Sequence, residues 1–381
     1  MGRARELVAT CGRGLEEVVA GEVASLGGRD PRPGRGMVRF RGTRETMVRA
    51  CLGLRAASRV LVPLASGPGE GREALHALGS GVPWEELVPR GGTVAVEVAG
   101  GGAGFANTRF AAQVLKDAIV DRTRSRAGWR PSVDLRRPDV PVHLHLGREG
   151  FSIALDAAGA PLGRRGYRTK GGPAALNPAL AAGLLLLAGY DGERPLLDPM
   201  TGTGTFAIEA ALIATRTPPG LHRRFAFERW PGFGREVLEH VRSELAAAVR
   251  PAPYPIVGTD HDRRAVRTAR ENAGRAGMGD AVTIRQGEAT ALEPPGEGGL
   301  IVINPPWGRR MGEGEALGAL YQALGDRLKS AAAGCTAWIL AGNREPAKRI
   351  GLRPTRRIVV FDGPVECRWL RFDIYEGSRR L

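Results

Sequence analysis

Leu196-Leu197-Asp198-Pro199-Met200-Thr201-Gly202-Thr203-Gly204-Thr205 is the stretch that decides the fold. Two leucines run into an acid, a proline and a pair of glycines, and a helix-forming segment, 206–215, follows. A buried strand turning through glycines into a helix is how a doubly wound α/β sheet presents a ligand loop beyond its strand ends. Gly202 and Gly204 let the backbone bend tightly and approach a ligand with no Cβ in the way. Free N–H groups at the start of the helix, near Thr205, suit a carboxylate or phosphate. A dinucleotide loop needs a third glycine where Ala207 stands, and a phosphate loop needs a Gly-Lys-Ser/Thr that is absent. An acid ahead of the glycines, Asp198 with Pro199, instead suits the ammonium of a methionine moiety, as in a methyl donor.

Downstream, strand patterns at 256–260, 282–285, 300–304, 336–340 and 358–361 alternate with helical stretches, among them 317–328. With 195–198 they predict a largely parallel, doubly wound sheet. A last pattern, 368–375, follows Gly363-Pro364 and reads as a hairpin return on the sheet edge. Asp260 ends the second strand, where a carboxylate accepts from ribose hydroxyls, with His261 beside it. Asp262 is assigned instead to capping the next helix. Glu288, followed by Ala289, ends the third strand and is placed to accept from an adenine amino group.

The fourth strand runs Leu300-Ile301-Val302-Ile303 into Asn304-Pro305-Pro306-Trp307-Gly308. The lone pair of an exocyclic base amine is delocalised into the ring, so a site for it must accept its N–H bonds and leave the lone pair aimed outward. Asn304 Oδ1 and the Pro305 carbonyl fit that task, Pro306 stiffens the turn, and Trp307 offers a flat surface for an extruded base. Such stacking is worth about 1–3 kcal/mol. Catalysis would then be mainly alignment.

The first half of the chain reads as α+β. Strand patterns lie at 7–10, 37–40, 60–64, 93–98, 140–146 and 151–155, and helical ones at 15–26, 43–54, 70–78 and 107–122. The last of these should turn Phe110, Val114, Ala118 and Ile119 inward. The chain has 381 residues and a net charge of +15, and residues 1–175 carry 27 basic against 17 acidic residues. That excess suggests a polyanionic partner, nucleic acid above all. Cys11, Cys51, Cys335 and Cys367 form no C-x-x-C pair, so neither a zinc site nor a disulfide framework is expected. His143 and His145 read as solvent-facing strand residues, and no metal site is expected. The longest apolar run, 179–188, is half a membrane span, and no secretory signal opens the chain, which points to a cytoplasmic protein.

Asp198-Pro199 through Gly202-x-Gly204-Thr205-x-x-Ile208-Glu209-Ala210, joined to Asn304-Pro305-Pro306-Trp307-Gly308, resembles the THUMP-linked N2-guanine RNA methyltransferases. Ala9-Thr10-Cys11-x-x-Gly14-Leu15-Glu16 resembles that family's opening, the segment from Phe105 through Ile119 its THUMP helix, Arg164-Arg165-Gly166-Tyr167-Arg168 its linker, and Gly363 through Cys367 its closing hairpin. The resemblance implies a ferredoxin-like segment at 1–44, a THUMP RNA-binding domain at 45–157, a basic linker at 158–175 and a Rossmann-like methyltransferase domain at 176–381. It also implies S-adenosylmethionine as cofactor and RNA as substrate: 23S rRNA from the insertion Pro218 through Trp230, and tRNA as the alternative. Met200-Thr201 and Thr203 replace the family's usual Phe-Cys and Ser, Glu288 its usual Asp, and Trp307 its usual Tyr. The segment 176–181 lacks the acid often seen in the rRNA branch and reads closer to the tRNA branch. The chain ends soon after Tyr375, short of the second methyltransferase module fused in some rRNA enzymes. Arg109, Lys116, Arg164 and Arg165, with Arg32, Arg35 and Arg39, are the candidate RNA contacts; such phosphate contacts position RNA without reading sequence. Two rival readings are an adenine-N6 DNA methyltransferase and a non-catalytic RNA-binding assembly factor.

Overall fold

The computed structural model describes residues 4–168, 176–308 and 314–376. The chain divides into two compact units. The first takes Met1–Thr10, Ala20–Leu162 and His222–Glu244; the second takes Cys11–Val19, Gly163–Leu221 and Leu245–Leu381. The insertion expected to mark the substrate branch therefore belongs largely to the first unit, although its sequence interrupts the second. There it is held by Arg223, which donates to the carbonyls of Ala160, Pro161 and Leu162, and by Arg229, paired with Asp139 at 3.1 Å.

The first unit is built on an eight-stranded sheet: β1 (Arg5–Cys11), β2 (Arg29–Gly34), β3 (Met37–Gly42), β4 (Ala57–Pro68), β5 (Thr93–Gly100), β6 (Ser132–Val133), β7 (Val140–Leu146) and β8 (Gly150–Asp156). The order is β2-β3-β1-β4-β8-β7-β5-β6. β5 runs parallel to β6 and β7, so the sheet is mixed. β2 escaped the sequence reading because Arg-Asp-Pro-Arg-Pro-Gly has no apolar residue and two prolines. It lies on the edge, where prolines are tolerated. Helices Gly71–Ser80 and Thr108–Ala127 pack against β4 and β5. In the second, Val114, Ala118 and Ile119 are buried as expected, whereas Phe110 is 46% exposed and leans on Phe105 near the helix start. The histidine reading is also corrected. His143 is buried on the groove face of β7, beside Arg59 and Glu97, and burial pulls its pKa down to about 4.

The second unit carries seven strands: β9 (Leu196–Asp198), β10 (Ile256–Asp260), β11 (Thr283–Gln286), β12 (Leu300–Ile303), β13 (Thr336–Ala341), β14 (Arg356–Asp362) and β15 (Val365–Asp373). Their order is β11-β10-β9-β12-β13-β15-β14. β9 to β13 pair in parallel, and β15 is antiparallel to both its neighbours. The final hairpin thus closes the sheet differently from expectation: β15 inserts beside β13 and leaves β14 on the edge. Both faces of β15 explain this, since Cys367 and Trp369 on one and Leu370 and Phe372 on the other are all buried and need cover. Trp369 stacks between Phe206 and Trp338, its indole N–H donating to the Leu184 carbonyl at 3.1 Å.

From β9 the chain winds outward to β10 and β11, then returns to β12 on the other side. The switch point, where ligands bind in such sheets, therefore lies between the carboxyl ends of β9 and β12.

Candidate active site

Asp198 ends β9 as a buried carboxyl whose Oδ1 has no hydrogen-bond partner among the described residues, and burial pushes its pKa up to about 7. The loop that follows is fastened at both ends. Thr201 N–H donates to the Thr259 carbonyl at 2.9 Å, and Gly204 N–H to the Thr201 carbonyl at 2.8 Å. Gly202 N–H donates to Asp260 Oδ2 at 2.9 Å, and Asp262 N–H to Asp260 Oδ1, also at 2.9 Å. Asp260 thus ties two loops together while lining the cavity, with His261 Nδ1 3.3 Å from its Oδ1. Asp262 caps the next helix, accepting from Arg264 N–H at 2.8 Å.

A cavity of about 470 Å³ opens here. It brings together Asp198, Pro199, Gly202, Thr205, Asp260, His261, Glu288, Ala289, Asn304 and Pro306, drawn from the ends of four strands. Both loop glycines have positive φ, +52° at Gly202 and +87° at Gly204, but they serve different ends. A Cβ on Gly202 would meet nothing within 4 Å, so this residue borders open space. A Cβ on Gly204 would lie 3.1 Å from Ala269 Cβ. Gly204 therefore lets two helices approach and does not line the cavity, which corrects its expected role in admitting a ligand.

Across the cavity, Asn304 Oδ1 is buried and, among the described residues, has no hydrogen-bond partner. Pro305 is buried and Pro306 exposed. Trp307 is half-buried and is not among the residues lining the cavity. Its indole lies against the backbone of Gly342, where an added Cβ would come within 2.2 Å of the ring, and its N–H donates to the Leu340 carbonyl at 3.2 Å.

The sequence from 165 to 371 matches the family described as the RMKL-like methyltransferase domain. The chain belongs to that family.

Ahead of this methyltransferase domain, residues 6–61 match an RlmL ferredoxin-like domain and 73–156 a THUMP domain. Two relatives named ribosomal RNA large subunit methyltransferase K/L are 41% identical, from Pseudomonas paraeruginosa, and 42% identical, from Syntrophotalea carbinolica. Each match covers 97% of this chain and 53% of the relative, so the chain spans about half their length. Among solved structures, that of SMU.472 in complex with S-adenosylhomocysteine is 27% identical, with a TM-score of 0.87 over the whole of both chains. A Listeria monocytogenes structure described as a predicted N6-adenine-specific DNA methylase is 29% identical, with a TM-score of 0.86, covering 99% of this chain and 97% of that one.

The candidate RNA contacts fare unevenly. Arg32, Arg35, Arg39, Arg109 and Arg164 are exposed; Arg39 pairs with Glu6 at 3.0 Å, and Lys116 pairs with its neighbour Asp117. Arg165 is a correction. Its side chain is 3% exposed and holds Glu209, itself fully buried, through two bonds of 3.2 Å, with the Tyr167 hydroxyl donating to the same carboxylate. A carboxylate in the apolar helix Thr205–Ala214 requires a partner, and Arg165 is that partner rather than an RNA contact. Arg168, one turn of chain further, donates to the Thr205 hydroxyl and the Leu176 carbonyl.

Sequence reasoning missed Met200, Thr201, Phe206 and Thr290 as cavity residues, and Tyr321 and Asn343 as supports of the Asn304 corner. Met200, Thr201 and Phe206 sit within or beside the quoted loop, so their positions were a usable signal. Among the described residues, one trio, Glu45, His240 and Glu244, has the spacing of metal ligands, but Arg49 already bridges both carboxylates. No helix of the described residues is long and apolar enough to cross a membrane.

Proposed function

We propose that this chain uses S-adenosylmethionine to methylate an exocyclic base nitrogen, N2 of guanine in 23S rRNA. One observation carries the reading: Asn304 Oδ1, buried and unpartnered, faces the same cavity as the unpartnered Asp198 Oδ1. Unsatisfied buried oxygens are costly, and two in one cavity suit a ligand that donates to both. Asp198 suits an ammonium, Asp260 ribose hydroxyls and Glu288 an adenine amine, while the missing Cβ of Gly202 leaves room. The bound cofactor supplies an electrophilic methyl group. Asn304 Oδ1 and the Pro305 carbonyl would accept the two N–H bonds of the base amine, which holds it in register and draws electron density toward nitrogen, so that its lone pair forms the new N–C bond as the methyl group parts from sulfur and S-adenosylhomocysteine leaves. The second N–H needs no separate base in the cavity, because transfer leaves an acidic ammonium that loses its proton to water.

RNA as substrate is supported by the THUMP match, by the net charge and by the names of the K/L relatives. Arg109, Arg164, Arg32, Arg35 and Arg39 are exposed cations suited to phosphate, and a ribosomal substrate fits a cytoplasmic protein. The name carried by the Listeria structure makes DNA adenine the comparison to run. The test is calorimetric binding of S-adenosylmethionine followed by methylation of 23S rRNA, tRNA and DNA, with the products identified by mass spectrometry. N2-methylguanosine in 23S rRNA is expected. N6-methyladenine in DNA as the main product would overturn the reading, and N2-methylguanosine in tRNA alone would move it to the tRNA branch.

A further inference from the structure

The Asn304 corner presents three consecutive backbone carbonyls, those of Pro305, Pro306 and Trp307, beside one side-chain oxygen. Any of the three is chemically able to accept from a base amine, and a corner free to twist would offer them in turn. Two of them are occupied. The Tyr321 hydroxyl donates to the Pro306 carbonyl at 3.2 Å, and Asn343 Nδ2 donates to the Trp307 carbonyl at 3.3 Å. Among the described residues, the Pro305 carbonyl has no hydrogen-bond partner, and Asn304 Oδ1 has none either.

We propose that Tyr321 and Asn343 are positioning residues for methyl transfer: by donating to the second and third carbonyls they hold the corner so that Asn304 Oδ1 and the Pro305 carbonyl form the acceptor pair for the base amine. This rests on the methyltransferase reading above and deepens it.

The two supports come from rigid and separate places. Tyr321 projects from the helix Gly314–Ala331 and is fully buried among Ile303, Leu324 and Ile339. Burial pushes its phenol pKa upward, so it keeps the proton it donates. Asn343 follows the end of β13, and its other amide atom is also engaged: Oδ1 accepts from Glu345 N–H at 3.1 Å. An amide held at one end donates in a fixed direction at the other. Between them, Gly342 gives the Trp307 indole a seat no other residue could provide, with an added Cβ 2.2 Å from Cδ2 and 2.3 Å from Cε3. The corner is thus fixed at Pro306, at the Trp307 carbonyl, at the indole N–H and on one indole face, and only its first residues remain open. A pre-set acceptor geometry needs no reorganisation at the moment of transfer.

The test uses two isosteric variants that keep the packing. Tyr321→Phe removes one hydroxyl. Asn343→Asp keeps the oxygen that receives Glu345 N–H and replaces the donor to Trp307 with an oxygen. Each should lower kcat for methylation of 23S rRNA about ten- to a hundredfold, since small misplacements of reacting groups cost that much. KM for RNA and the Kd for S-adenosylmethionine should stay within about twofold, which a merely structural defect would not spare. Asn343→Gln, which retains the donor, should recover part of the rate. Wild-type turnover in both isosteric variants, or loss of cofactor affinity in step with kcat, would overturn the assignment while leaving the methyltransferase reading intact. Wild-type protein that binds cofactor yet methylates no nucleic acid would sink the reading, and this assignment with it.

Discussion

The two sides of the cleft are built on opposite principles. On the β9 side, polar atoms are left without partners: Asp198 Oδ1 is buried and unpaired, and the loop beside it borders open space at Gly202. On the β12 side, nearly every group after the first two residues is engaged, down to the indole N–H of Trp307. The β9 side is ready to be completed by a ligand, whereas the β12 side is fixed in place before any ligand arrives and leaves Asn304 Oδ1 and the Pro305 carbonyl open to it. Binding energy is drawn from the first, and orientation from the second.

Deleting a transfer-side acceptor should therefore abolish chemistry and spare binding. Asn304→Ala is expected to cut methylation at least about a thousandfold, the scale of losing a group that acts in the transition state. Calorimetry should find S-adenosylmethionine affinity unchanged; comparable turnover would erase the distinction between the two sides. On the binding side the order reverses. Asp198→Asn should weaken the cofactor Kd by about 10- to 100-fold, the value of one buried charge-assisted bond. It should also abolish a pH dependence. Burial raises this carboxyl to about 7, so its proton must leave before it can pair with an ammonium. Wild-type affinity should fall by up to about tenfold per pH unit below 7, and the Asn variant should show a flat profile. In the protein without cofactor the sign is opposite: a raised carboxyl pKa favours the folded state at low pH, and that contribution fades as pH rises toward 7.

The smallest effects should separate the two glycines. Gly204→Ala pays both for its left-handed backbone and for the 3.1 Å approach to Ala269, so thermal unfolding should report a loss of about 1–3 kcal/mol. Gly202→Ala carries only the backbone strain and should lower cofactor affinity more than stability. Equal behaviour of the two would dissolve their assignment to different tasks.

What the sequence disclosed follows from how local each signal is. The β9 loop and the Asn304 corner were legible because an apolar strand, its glycine turn and its terminal acid or amide lie within ten residues of one another. Arg165 was not, because its partner Glu209 is 44 residues away inside a helix that is otherwise apolar. Read alone, an arginine in a basic stretch is a surface charge. Tyr321 lies inside the helical stretch 317–328 and is core, apart from one oxygen that reaches the corner, a contact with no local mark. Gly342 and Asn343 lie just past the strand read at 336–340 and carry no local signal, since the indole that packs on the glycine lies 35 residues earlier. β2 was lost to its prolines, and the fate of the insertion, which folds with the first unit, had no local mark at all.

The grip of Arg165 and Tyr167 on Glu209 has a practical corollary for anyone isolating the methyltransferase half. A shortened chain beginning at residue 176 would leave the Glu209 carboxyl in a greasy helix without the two groups that donate to it, one turn from the cofactor loop. Such a fragment should express as aggregate even though every cavity residue is present, whereas one that starts at Gly163 carries its own counter-ion.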